Sequence, residues 1–202
     1  LYEGRLAWAG MDKIILSESD GYENFNDLVE GDAGPIIRNI GEGPVDDIHW
    51  LMPLQRLLAG AEGSELSIRS NSFDEPLTPD NYNMKAASTQ GSAPIGAVKI
   101  DSNGAFVERS GTRLYQLVYN SDTYDYSSSD LTRLVPDMCE VGIVKIVVQR
   151  HPDTRIHCVL EDGTAAVLIF EPDEDVICWI DVTTDGLIED AVVLPQQELE
   201  DA

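Results

Sequence analysis

A chain of 202 residues suffices for one ordinary domain, or for a compact set of small repeats sharing cores, and is too short for several large domains. Hydrophobic residues make up 43% and charged residues 25%, which excludes a wholly disordered chain and a fibre. Thirteen Lys and Arg face 37 Asp and Glu, and the net charge of −24 repels nucleic-acid phosphates and anionic headgroups alike.

The basic residues are scattered from Arg5 to Arg155 without a cluster, so no sequence-specific nucleic-acid binding is expected. The longest uninterrupted apolar run, residues 165–170, falls far below the roughly 18 residues that span a bilayer, and no membrane insertion is expected. The opening Leu1, Tyr2, Glu3, Gly4 lacks an initiator Met, a basic stretch and an apolar stretch, and suggests a piece of a longer polypeptide.

In chain order, LAWAG before MDKIIL reads as a hairpin turning near Gly10. Residues 17–25 then approximate the SxDxGxTW Asp-box, but Asp20 and Gly21 are adjacent and Asn24, Phe25 only resemble its ending. The expectation is a turn between two strands that tucks an aromatic against the sheet. A strand containing Ile48 follows, and residues 54–61 are ambiguous between strand and helix.

LLAGAEG before SELSI forms the second hairpin, with a turn at Gly63 and a clean alternation over residues 65–69 that suggests a wet face. A strand at Val98 precedes the third hairpin, AFVERSG before TRLYQLV, with Gly111. Beyond it, Ser129 or Asp130 caps a single turn ahead of Pro136. A strand at Ile146 leads into the fourth hairpin, HCVLEDG before TAAVLIF, with Gly163. The run 165–170 is apolar on both faces, residues 176–182 with Trp179 read as an outer strand, and residues 188–194 as a last inner strand.

The turn glycines are spaced by 53, 48 and 52 residues, and Ile48, Val98, Ile146 and Val192 by 50, 48 and 46. Four strands in about 50 residues describe a propeller blade. The expected fold is therefore all-β, a β-propeller of about four blades of four-stranded antiparallel sheet forming a single domain over residues 1–202. If residues 188–194 pair into the first unit, which lacks an inner strand, the ring closes. Otherwise the chain is an arc of a larger propeller.

Chemistry is sparsely signalled. Cys139, Cys158 and Cys178 are odd in number and contain no CxxC, so neither disulfides nor a zinc site is expected. Cys158 and Cys178 lie in apolar runs and read as small buried hydrophobes, while His157 and Cys158 point to opposite faces of one strand. The carboxylates at Glu171, Asp173, Glu174 and Asp175, at Asp46 and Asp47, and at Asp122, Asp125 and Asp130 lack EF-hand spacing. GxSxG, HExxH and GxxxxGK[ST] are absent, and His49, His151 and His157 have no partner spacing. No catalytic, cofactor or metal residue is expected, and the chain is not expected to be an enzyme.

The strings GPVDDIHWLMPLQRLLAGAEGSELSIRS, SFDEPLTPDNYNMKAASTQGSA, FVERSGTRLYQL, QRHPDTRIHCVLEDGTAAVLIF and VTTDGLIEDAVVLP resemble, in order and over nearly the whole chain, the nozzle or tail tubular protein B family of short-tailed phages and prophages. The resemblance implies a structural, propeller-containing component of the virion tail, assembled in the bacterial host cytoplasm. It implies a homo-oligomeric ring, six-fold, below the portal and adaptor, that forms part of the DNA exit conduit. An acidic conduit wall, along which DNA slides without binding, suits the −24 charge. Two rival readings are a glycan-binding tail module that recognises a host surface through loops such as residues 119–126, and a glycoside hydrolase on a propeller.

Overall fold

The computed structural model describes residues 1–40, 47–72, 75–174 and 176–194. It is all-β, with four antiparallel sheets following one another along the chain in a four-bladed, propeller-like arrangement. Sheet 1 holds β1 (Ala7–Gly10), β2 (Lys13–Leu16) and β3 (Ile36–Asn39). Sheet 2 holds β4 (Ile48–Pro53), β5 (Leu57–Ala61), β6 (Glu65–Arg69) and β7 (Asn83–Ser88). Sheet 3 holds β8 (Val98–Ile100), β9 (Asn103–Val107), β10 (Leu114–Asn120) and β11 (Asp125–Asp130). Sheet 4 holds β12 (Ile143–Gln149), β13 (Arg155–Leu160), β14 (Ala165–Glu171) and β15 (Val176–Val182).

Each four-stranded sheet runs in simple chain order, an inner strand, a hairpin and an outer strand, as the 50-residue repeat requires. The four expected hairpins are β1–β2, β5–β6, β9–β10 and β13–β14. The expected inner strands at Ile48, Val98 and Ile146 are β4, β8 and β12, and residues 176–182 form the outer strand β15. Residues 54–61 resolve as strand from Leu57 onward, because β5 is buried on both faces between its neighbours. Gly111 and Gly163 take φ of +78° and +79°, as tight turns demand, whereas in the first hairpin Met11 rather than Gly10 takes the positive φ, +49°.

The sheets pack face to face in sequence. Ile14, Leu16 and Ile36 of sheet 1 meet Leu57, Leu66 and Ile68 of sheet 2. On the other face of sheet 2, Trp50, Met52 and Leu58 meet Phe106, Leu117 and Tyr126 of sheet 3. Ala105, Val107 and Leu114 on the far side of sheet 3 meet Ile146, Ile156, Cys158, Leu168 and Phe170 of sheet 4. Each pair of consecutive sheets thus shares one apolar core, the main stabilising term of the stack.

Three expectations change. The alternation over residues 65–69 does not mark a wet face, since Glu65 and Ser67 are fully buried where sheet 3 covers them. The turn ahead of Pro136 is not helical: Asp130 accepts hydrogen bonds from the Thr132 N–H at 2.8 Å and hydroxyl at 2.6 Å, and Pro136 instead opens a short 3-10 helix, Pro136–Cys139. Residues 188–194 form no strand and do not complete sheet 1.

That last segment lies across the outer face of its own sheet. The Ile188 N–H donates to the Gly163 carbonyl at 2.8 Å, Leu187 sits over Gly163, and Asp190 pairs with Lys145. Ile188 and Ala191 close a cavity over Val159, Ala165, Val167, Ile180 and Val182. Following directly on β15, the segment meets this apolar surface first, which also explains why residues 165–170 are apolar on both faces: sheet 3 covers one and the returning chain the other. The three cores lie between consecutive sheets, and none joins sheet 4 to sheet 1 among the described residues.

Candidate functional site

Two surfaces emerge from this stack. The first is the outward face of sheet 1. Trp8 pairs across the strands with Ile15, and Ile15 with Ile37, so the three side chains form one row. On the inward face Ile14, Leu16 and Ile36 are buried, whereas Trp8 is 60% exposed, Ile37 37% and Ile15 half-buried. Trp8 is the most exposed large apolar side chain on the described strands, and at the other end of the stack β15 exposes Val176, Ile177 and Ile180, so apolar surface remains on both terminal sheets.

The second surface is a cleft of about 330 Å³ at one end of the stack, where the first three sheets meet. Tyr2 and Glu3 reach it from the tight turn ahead of β1, Gln55 and Arg56 from the β4–β5 loop, Arg69 and residues 70–72 and 75 from the end of β6 and the loop after it, and Thr123 and Tyr124 from the β10–β11 turn.

Its floor is built around Arg56, 4% exposed. Arg56 Nη1 lies 3.2 Å from Asp125 Oδ2, Nη2 donates to the Tyr124 carbonyl, and the guanidinium sits 5.7 Å from the centroid of the Tyr119 ring. Arg69 Nη1 donates to the same Tyr124 carbonyl at 3.2 Å. The Tyr126 hydroxyl accepts from the Gln55 N–H and donates to the Ser102 carbonyl, both at 3.3 Å. Tyr2, buried beside Glu3, is held well above the ordinary phenol range and stays neutral.

The clamped turn is strained. Tyr124 takes φ of +53° and Glu3 φ of +44°, both in the left-handed region that bulky residues seldom occupy. The result is presentation of one aromatic ring, since Tyr124 is 58% exposed. Glu3 Oε2 accepts from the Leu77 N–H and Glu75 Oε2 from Asn81 Nδ2, each at 2.7 Å.

The residues singled out from sequence are dispersed. Of the aromatics in residues 119–126, Tyr126 is buried and stacks edge-on against Tyr119 at 5.6 Å, so Tyr124 alone is strongly exposed. Asp122, Asp125 and Asp130 do not converge: Asp125 pairs with Arg56, and Asp130 with Arg113 at 2.7 Å. Burial raises the Asp130 pKa, but hydrogen bonds from Thr132 and Arg113 outweigh it and hold it below the ordinary range. Glu171 accepts from the Thr154 N–H at 2.7 Å, Asp47 is exposed, and Asp46 and Asp175 lie outside the described residues.

Cys158 is buried as expected, but Cys178 is exposed on the outer strand β15, and Cys139 takes the buried place instead. The Cys139 and Cys158 thiols share a hydrogen bond that, with burial, pushes Cys158 well up. His157 faces away from Cys158 and lies 2.9 Å from Gln149 Oε1, with burial and the neighbouring Arg155 lowering its pKa. The approximate Asp-box is indeed the turn between β2 and β3, with Phe25 half-buried and Tyr22 exposed. What organises it is Arg5, which donates to the carbonyls of Ser17 at 2.8 Å, Gly34 at 2.6 Å and Asp32 at 2.7 Å.

Arg5 and Arg56 were not singled out from sequence, although Arg56 stands alone in LMPLQRLLAGA, an apolar setting in which a charge must find partners. The sequence matches no family model. No curated protein matches it either.

Proposed function

We propose that this chain is a structural component of a phage virion tail, a nozzle-like subunit of a ring that forms part of the DNA exit conduit, rather than an enzyme. The ordered strings that resemble the nozzle family support the assignment. The observation that carries the structural role is the row Trp8, Ile15, Ile37. A chain with 37 acidic residues has ample polar surface, and an apolar row continuing a stack of apolar faces is the surface of a subunit made to be joined.

The occupant of that face is a second copy of the chain. Its β15, the outermost strand of sheet 4, exposes Val176 and Ile180 to receive this row, which continues the sheet-on-sheet packing already used three times within each copy, and repeated head-to-tail contacts of this kind close into a ring, six-fold in the family resembled. The ring meets the portal and adaptor in the virion tail after assembly in the bacterial host cytoplasm. Negative-stain imaging tests this: annular particles with a central opening are expected, and particles without an opening would count against the conduit.

A second reading is favoured by one observation, the exposed Tyr124 ring at the mouth of a polar cleft. This is the surface of a glycan-binding module that recognises a host through its propeller loops.

A further inference from the structure

We infer that the cleft between the first three sheets is a subsite for a neutral saccharide, one pyranose ring of which stacks on Tyr124. The inference rests on the glycan-binding reading and narrows it to a ligand class and to named residues.

A tyrosine with φ of +53° costs conformational energy, and the stack provides two guanidiniums, from Arg56 and Arg69, that converge on its carbonyl. Arg56 is itself held by Asp125 and by the Tyr119 ring. Ordinary turn chemistry would place Gly or Asn at this position. A strained turn locked on its backbone side, with its aromatic ring left in solvent, is a pre-organised binding element.

A pyranose offers an apolar C–H face and a rim of hydroxyls, each both donor and acceptor. The Tyr124 ring provides a flat apolar wall. Around it, Asn71, Ser70 and Ser72 supply amide and hydroxyl groups, and Glu3 and Glu75 supply acceptors. This mixture matches hydroxyls that donate and accept at once.

Arg56 and Arg69 balance Glu3 and Glu75 in formal charge, and the chain as a whole carries −24, so nothing draws an anionic ligand into the cleft. The volume of about 330 Å³ lies at the small end of the range for small-molecule clefts, roughly 300–1,000 Å³, which suits one sugar ring rather than an extended oligomer.

The test uses the full chain on an array of neutral and acidic glycans, followed by saturation-transfer NMR titration of the best neutral methyl glycoside. Two variants accompany it. Tyr124→Asn removes the ring while keeping a residue that tolerates the left-handed turn, and Glu3→Gln keeps the shape while changing the acceptor. Binding of a neutral glycan, weakened roughly 10-fold or more by Tyr124→Asn with a melting temperature that is not lowered and several-fold by Glu3→Gln, is the expected result. Neutral binding indifferent to Tyr124→Asn would overturn the subsite. Binding confined to acidic glycans would overturn the neutral class while leaving the glycan-binding reading in place. Absence of binding across the array would end both.

Discussion

Trp50 and Gly60, cross-strand partners on β4 and β5, share the space of one side chain: the indole lies over the glycine, where a Cβ would overlap Cε2, Cζ2 and Nε1. The indole is then free to project toward sheet 3, where the Phe106 ring packs against it with centroids 5.7 Å apart at 44°. Trp50 is 6% exposed, and Phe106 prevents it from lifting away. Gly60→Ala is therefore expected to destabilise the chain by about 1–3 kcal/mol through overpacking. Urea unfolding checks this, and an unchanged midpoint would show that the indole can move.

Arg5 fixes the β2–β3 connection through carbonyls spread over residues 17–34, and it does so while almost wholly buried. Removing it leaves those carbonyls without their charged donor. Arg5→Met, which keeps the bulk, is expected to cost about 3 kcal/mol. Hydrogen exchange should quicken at the Ser19 and Gly34 amides, which bond to Ala33 and Gly31 within the connection. Unaltered exchange there would mean that the connection holds itself.

Glu65 is fully buried, and burial holds its pKa above the ordinary carboxylate range, opposed by hydrogen bonding that includes Ser92 Oγ at 2.8 Å. Between its unfolded and folded pKa values the folded chain binds more protons than the unfolded one. This contribution to stability is complete below the unfolded pKa and is lost as pH rises through the folded pKa. Glu65→Gln is neutral throughout. It is expected to match the parent at about pH 4 and to exceed it at about pH 8. Parallel stability profiles would show that Glu65 ionises freely where it sits.

The hairpins and their 50-residue repeat were legible because the signals are local: an apolar run, a turn residue and a second run, as in the strands joined at Gly111 and Gly163. The outer strand around Trp179 was legible for the same reason. What sequence could not show was which faces become covered. Glu65 and Ser67 alternate like residues with a wet face, yet sheet 3 buries them, and Cys178 looks like a core thiol, yet its strand is the outermost. Residues 188–194 look like a strand in composition, and only the presence of an apolar face one strand away decides their course.

The cleft was legible in even smaller part. Sequence pointed to residues 119–126 but not to the pairing of Tyr119 with Tyr126 that withdraws both from display and leaves Tyr124 at the tip. Nor could it bring Glu3, Arg56 and Arg69 to the same turn, because those contacts join three sheets.

The central claim, that the uncovered face of sheet 1 is a joint between copies, is tested most directly by light scattering of the chain and of Trp8→Glu over a concentration series. The account predicts masses that rise with concentration from 22.2 kDa to a closed multiple, with Trp8→Glu held at 22.2 kDa and equally stable to urea. A mass of 22.2 kDa at every concentration, or assembly untouched by Trp8→Glu, would contradict it.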